Sequence, residues 1–355
     1  MSLSSFQCTD FRCLESVALE FSPSHNLVFG ANASGKTSIL EAIAYLGRAR
    51  SFRGAGTREL VRHGAEELVV FGKADTGNRQ VALGIRNGKQ GLEVHVDGEK
   101  SRSAAPLAEA LPLQVIDPDV HDLVAGGPEG RRRYLDWIAF HVEPGYLEGW
   151  RRFRRALKQR NAALREGSQG QALAGWDEEL AGLGEDIDKA RGRVTEVVAP
   201  AIEEFGTGLL GSVVGIEYLQ GWPAGKSLAE ALAGARERDL QLASTQCGPH
   251  RADVRLQYDE REARKLVSRG QQKLLACAMV LAATEVVQTH LEKPLLLLVD
   301  DPAAELDRDS VARLMGAVEV LGSQVVATTL DPEQALFSER PALFHVEHGT
   351  VQRAE

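Results

Sequence analysis

GANASGKTS, Gly30 to Ser38, lies between one apolar run, NLVFG, and a second, ILEAIAYL. It fits the template G-x-x-x-x-G-K-[ST], in which glycines let backbone N–H groups curl around phosphate oxygens. The helix that follows adds the favourable end of its dipole. Lys36 is placed to reach the β- and γ-phosphates and the Thr37 hydroxyl to hold Mg²⁺. Gly30, Ala31, Asn32, Ala33, Ser34, Gly35, Lys36, Thr37 and Ser38 are therefore the expected nucleotide cradle, and ATP with Mg²⁺ the expected cofactors.

A second stretch supplies its partner. PLLLLVDDP is an apolar strand ending in two acids. Asp300 falls where a group binding Mg²⁺ directly or through its bound water belongs, and Asp301 where a carboxylate would position and deprotonate an attacking water. A third, SRGQQKLLACAMVLAA from Ser268, is a short polar segment opening an apolar helix. Ser268, Gly270 and the N–H groups of the first turn make a second anion site. One ATP does not need two cradles in one subunit. The simplest arrangement is a homodimer, in which this segment closes over the γ-phosphate held by the other copy.

Organisation follows from the periodicity. CLESVALEF alternates as a half-buried strand leading to the loop, and LVVFGKA, RQVALGIRNG and LEVHVDG alternate likewise, with hairpin signals at Asn87-Gly88 and Asp97-Gly98. The last three predict an antiparallel side sheet. PLLLLVDD and SQVVATTL are apolar throughout, as parallel strands covered on both faces require. Between the side-sheet segments and these strands the pattern turns helical. Residues 1–110 and 241–355 are expected to form one discontinuous α/β domain, and 111–240 an inserted compact helical lobe. That lobe is too short, and too poor in sustained heptads, for a long coiled coil.

With 355 residues and a net charge of −9, the chain is not a globally basic nucleic-acid binder. Its charge is unevenly spread, however. Residues 131–165 carry ten Arg/Lys against three Asp/Glu, and residues 166–189 seven acids against one base. Arg48, Arg50 and Arg53 follow the first helix, and Arg151, Arg152, Arg154 and Arg155 lie on a predicted helix. Charge runs are usually solvated faces, yet phosphate binding needs several cations on one surface. Both clusters are candidates for double-stranded or gapped DNA, bound without sequence specificity because backbone contacts carry no base information. Four cysteines without paired spacing suit a reducing cytosol, the start lacks a secretory signal, and no apolar run in the sequence reaches membrane-spanning length.

SRGQQK at Ser268 resembles the signature of the ABC-type ATPases of DNA maintenance. With VDDPAAELD, CGPHRADV (Cys247 to Val254), GGPEGRRRYLDW (Gly126 to Trp137) and SFRG (Ser51 to Gly54), the resemblance narrows to the RecF branch of the SMC-like family. It implies an ABC-type ATPase head and a bacterial, cytoplasmic, nucleoid-associated protein. It also implies ATP-dependent dimerisation on DNA, slow DNA-stimulated hydrolysis, and work with RecR and RecO to help load RecA at gaps. Residue by residue, it makes Lys36, Ser268, Gln272 and Asp301 catalytic, adds Gln271 to the nucleotide contacts, and makes Gln114 a Mg²⁺-sensing glutamine. Glu305-Leu306-Asp307 matches the loop coupling the two sites, and Thr328 or Thr329 the γ-phosphate sensor. Asp301 stands where most of these ATPases have Glu, and Ala33 where the family usually has Gly. If that position needs φ > 0, alanine costs on the order of 1 kcal/mol. Two rivals remain. A transporter ATPase subunit would not need the basic helical lobe, and a small-molecule kinase would leave SRGQQK and the acid pair without a joint purpose.

Overall fold

The computed structural model describes residues 2–77, 79–167, 171–333 and 336–354. The chain divides into two compact units, one of Met1–Val120 with Glu292–Glu355 and one of His121–Leu291.

The first unit holds two six-stranded sheets. In one, Leu14–Glu20, Ser2–Phe11, Glu67–Asp75, Gln80–Gly88, Gly91–Val96 and Glu99–Ser101 lie side by side, all antiparallel. This is the expected side sheet, joined by Leu14–Glu20 and by two strands absent from the sequence reading, Ser2–Phe11 and Glu99–Ser101. SLSSFQCTDF is too polar to announce itself, yet Leu3, Phe6, Cys8 and Phe11 all turn inward. The other sheet runs Thr350–Ala354, Ala342–Glu347, His25–Phe29, Gln324–Thr329, Leu296–Val299 and Leu113–Ile116. Its last five strands are parallel, and the fully buried Leu296–Val299 shows why that run had to be apolar at every position.

The helix Lys36–Arg48 lies between these sheets. Ile39, Leu40, Ile43 and Leu46 are inaccessible and share one core with Phe6, Leu68 and Ile85 of the side sheet and Leu296, Leu298 and Val326 of the parallel sheet. Buried Gln324 ties the layers with polar bonds. Its amide donates to Leu3 O and Ser22 O, and its oxygen accepts from Leu3 N at 2.7 Å.

The second unit is mainly helical. Its 40-residue helix Gln171–Leu210 packs against Tyr146–Arg165 and Arg269–Leu291. A small antiparallel sheet of Val214–Leu219, Asp253–Tyr258 and Arg261–Glu262 completes it. Both expected boundaries move. Residues 113–116, assigned to the lobe, form the edge strand of the parallel sheet. Residues 241–291, assigned to the head, pack within the helical unit. The cause is Arg269–Leu291, whose stretch from Lys273 to Thr284 is buried all round, so that it needs a helical partner on several sides. Tyr134 seals this packing by donating its hydroxyl to Met279 O at 2.9 Å. Among the described residues this is also the one helix long and apolar enough to cross a bilayer; two thirds of its apolar window is buried within the protein.

Candidate nucleotide site

The strand His25–Phe29 delivers the chain to Gly30, whose φ of 155° and approach to Val346 O leave no room for a side chain. A Cβ there would stand 2.3 Å from that oxygen. Ala33 sits at φ 61° and Gly35 at φ 117°. The left-handed conformation suspected at position 33 is therefore present, on an alanine. No side chain caps the helix beginning at Lys36, so its first N–H groups point into the loop. Lys36 is buried and donates from Nζ to Gly30 O at 2.7 Å and Ala31 O at 2.9 Å, drawing the loop around its own ammonium. Burial holds its pKa below the ordinary lysine range, opposed by the charges of Asp301 and Asp300. Ser34 Oγ is buried without a partner, while Ala31, Asn32 and Ala33 form an exposed crown. The Cys13 thiol donates to Ser38 Oγ at 3.6 Å.

The acids converge on this loop. Asp300 follows the strand Leu296–Val299 and is anchored through its N–H to Ile116 O at 2.8 Å. Its Oδ1 accepts from Thr37 Oγ1 at 3.1 Å and from Thr328 Oγ1 at 2.7 Å. Burial raises the Asp300 pKa, and the two hydroxyls and Arg53 counter it only in part. A hydroxyl and a carboxylate, with no sulfur or imidazole, form the hard oxygen donor pair that Mg²⁺ accepts while keeping waters and phosphate oxygens as its other ligands. Asp301 stands beside it at φ 44°, its N–H donating to Thr328 Oγ1 at 2.9 Å. Thr329 turns elsewhere, bonding the backbone of Asp331. Asp307 of the expected coupling loop caps the next helix, accepting from Ser310 N at 2.9 Å.

Two expectations fail on geometry. Gln114 was read as a Mg²⁺ sensor, but its side-chain oxygen accepts from Arg48 at 3.2 Å, and Arg48 ends the helix that Lys36 begins. Gln114 lies two residues before Ile116, the residue that anchors Asp300 N, and its side-chain oxygen is taken by Arg48 rather than turned to Thr37 or Asp300. Arg48 itself was read as a DNA contact. Its guanidinium is buried, donates to Leu113 O at 2.7 Å and is pushed down to about 10 by burial. It is a structural cation.

The remaining basic residues separate by burial. Arg50, Arg53, Arg151, Arg152, Arg154 and Arg155 are exposed. Arg154 lies 4.9 Å over the Trp150 ring, and Arg152 is 3.8 Å from Glu179. Arg160, from the same helix, is inaccessible and paired with Asp177 and Asp239 at 2.7 Å each. Arg131 is likewise bound to Asp253. Reasoning from sequence also missed a network on the phosphate-loop helix. Glu41 is fully buried there, bonded by Arg12 and by Ser51 Oγ, which fastens SFRG to that helix. An acid inside an otherwise apolar helix face was the available signal.

The signature segment belongs to the second unit. Ser268 is exposed, its N–H donates to Gln271 Oε1 at 2.9 Å, and its Oγ accepts from Gln271 N at 3.4 Å. This reciprocal cap presents the start of the helix Arg269–Leu291, with Gly270 facing open space. Gln272 donates to Val267 O at 3.3 Å.

Comparisons with known proteins agree with this architecture. The family model described as RecF/RecN/SMC N terminal domain matches residues 2–352. The DNA replication and repair protein RecF of Pseudomonas aeruginosa (strain LESB58) is 40% identical over 361 residues, covering 99% of this chain and 98% of the relative. RecF of Pseudomonas syringae pv. syringae is 41% identical over 363 residues, with the same coverage. A solved structure of the recombination mediator protein RecF with ATP in the RecFOR pathway superimposes with a TM-score of 0.90 at 26% identity, over 99% of this chain and 97% of that one. An Smc head bound to a domain of ScpA shares the fold, with a TM-score of 0.63 at 16% identity over 100% of this chain and 97% of that one. From the phosphate loop to the C-terminal hairpin, this chain belongs to the RecF family of DNA replication and repair proteins, within the RecF/RecN/SMC group.

Proposed function

We propose that the chain is an ATP-dependent DNA clamp of recombinational repair. The observation that carries this is the convergence of Thr37, Asp300 and Asp301 on one phosphate loop, in a family that includes a RecF solved with ATP. Lys36 and the loop N–H groups bind the phosphates, and Thr37 and Asp300 would hold Mg²⁺. The ion would neutralise charge on the phosphate oxygens. Asp301 orients a water and takes its proton, from a carboxylate one methylene shorter than glutamate, which suits slow turnover. Ser268 and the helix N-terminus behind it, from a second copy, cover the γ-phosphate, so ATP drives dimerisation. Exposed arginines of either cluster hold DNA by its backbone at gaps or single-strand/double-strand junctions. On this reading DNA stimulates hydrolysis, hydrolysis resets the clamp, and RecR with RecO links it to RecA loading in the bacterial cytoplasm. A transporter role is not favoured, because the relatives are repair proteins over the whole chain.

The composite site is testable by mixing two inactive proteins, Lys36→Ala and Ser268→Arg. A mixed two-fold dimer has one site with both lesions and one with neither, so independent sites recover at most about a quarter of the activity. ATP-driven association and phosphate release should both return. Failure of both measures in the mixture, or normal hydrolysis by Ser268→Arg as a monomer, removes the shared site.

A further inference from the structure

Thr328 is the last residue but one of the core strand Gln324–Thr329 and is fully buried. Its hydroxyl has one proton, and that proton goes to Asp300 Oδ1 at 2.7 Å. A lone pair of the same oxygen receives the N–H of Asp301 at 2.9 Å. One atom thus fixes the side chain of the first acid and the backbone of the second. The second needs fixing. Asp301 has φ 44°, a region that side-chain-bearing residues enter at a cost of about 1–2 kcal/mol unless their surroundings impose it. The turn that follows, closed by Ala304 N donating to Asp301 O at 2.9 Å, starts from that conformation.

We infer that Thr328 is a positioning residue for ATP hydrolysis, setting the metal-binding carboxylate of Asp300 and the water-activating Asp301 in one fixed relation. This rests on the roles proposed above for the two acids. The neighbouring Thr329 does not share the task, because its hydroxyl is bonded to the loop at Asp331. The single hydroxyl proton of Thr328 is given to Asp300, so its action on the γ-phosphate runs through the acids. Removing the hydroxyl while keeping the shape takes from the half-buried Asp301 N–H its acceptor and leaves Asp300 held only by Thr37. Misplacement of a catalytic group by about 1 Å is enough to cost a hundredfold in rate.

The test uses the full chain and compares Thr328→Val, Thr328→Ser and Asp301→Asn. Four quantities are measured: ATP affinity, turnover at saturation, the Mg²⁺ concentration that half-saturates ATP binding, and thermal stability. Thr328→Val should lose at least about tenfold in kcat with ATP affinity in EDTA within about threefold of the parent. Its Mg²⁺ half-saturation should rise several-fold, and Thr328→Ser should restore both. Parental turnover by Thr328→Val beside an inactive Asp301→Asn overturns the Thr328 assignment and leaves the acids in their roles. Parental turnover by Asp301→Asn overturns the underlying reading and this inference with it. Equal losses in the valine and serine variants, or a loss of ATP affinity that matches the loss of turnover, assign Thr328 to packing and overturn the inference. Should Thr328→Val not fold, Thr328→Cys replaces it. The thiol is a weak donor of similar size, and turnover equal to that of Thr328→Ser would be equally fatal.

Discussion

Thr37 and Asp300 are 263 residues apart, and the hydroxyl of one donates to the carboxylate of the other across 3.1 Å. The contact joins the first turn of the phosphate-loop helix to the end of a central strand. Neither residue alone could hold the proposed Mg²⁺, so the proposed ligand pair exists only in the folded unit.

Asp300→Asn keeps the shape and removes the charge. ATP affinity in Mg²⁺ should fall by about 10–100-fold, to the level the parent shows in EDTA, and adding EDTA should change the variant little. An undiminished response to Mg²⁺ in this variant would place the metal elsewhere.

The arginines should divide by burial rather than by sequence cluster. Replacing Arg151, Arg152, Arg154 and Arg155 with Ala should weaken duplexes of different sequence alike and flatten the salt dependence of binding. Arg48→Ala should instead leave the salt slope intact and lower stability by about 2–4 kcal/mol, because Leu113 O and Gln114 lose their donor. Denaturant melts and salt titrations on the same proteins separate the two effects.

Ala33 holds φ 61° in the exposed crown of the phosphate loop. Ala33→Gly releases strain of about 1–2 kcal/mol but adds up to about 1 kcal/mol of unfolded-chain freedom. The net expectation is a small gain in stability, up to about 1 kcal/mol, with ATP affinity retained or improved. A clear loss in melting temperature would show that the alanine methyl is needed for packing.

His250 in the GPHR stretch gives a pH dependence of stability. A carbonyl only accepts, so its Nε2 carries the proton and donates to Thr245 O at 3.0 Å, leaving Nδ1 buried and unpartnered. Burial lowers the pKa to about 4 from 6.5, with Arg251, Arg132 and Arg160 adding to the shift and the Thr245 bond opposing it. The folded state binds fewer protons than the unfolded one in that window. Stability is therefore fully present above about pH 6.5 and is lost progressively down to about pH 4, by up to about 3 kcal/mol. His250→Gln should flatten this segment of a stability–pH curve. An unchanged slope would assign the acid sensitivity to other groups.

The nucleotide loop could be read from sequence because its chemistry is local: glycines, lysine and threonine act within eight residues of one another. The parallel strands were equally plain, since two covered faces force an unbroken apolar run. What failed depended on direction. Gln114 and Arg48 are residue types that fit a site, yet Arg48 closes the far end of the helix and its guanidinium holds the Gln114 side-chain oxygen, a pairing that no local pattern announces. Arg160 looks like its neighbours in RRFRRALKQR but faces Asp177 and Asp239 inward. The boundary at residue 241 failed because an apolar helix does not say which unit it will pack against. Val214–Leu219 was missed as a strand within a helical stretch, since its pairing partner begins 34 residues later at Asp253.

The hairpin of Ala342–Glu347 and Thr350–Ala354 gives the molecule an order of assembly. Its turn touches the phosphate loop directly: Gly349 N donates to Ser34 O at 2.9 Å, and Val346 O lies against Gly30. A ribosome that has released the loop and its helix has therefore not yet supplied their floor, which arrives some 300 residues later. At about 5–20 residues per second, the nascent loop waits roughly 15–60 seconds for it. For most of that interval the helix Lys36–Arg48 also lacks Leu296, Leu298 and Val326, and its apolar face is open to misassociation. ATP can rescue the finished fold by mass action, but it has no seated loop to bind while the chain is still being made.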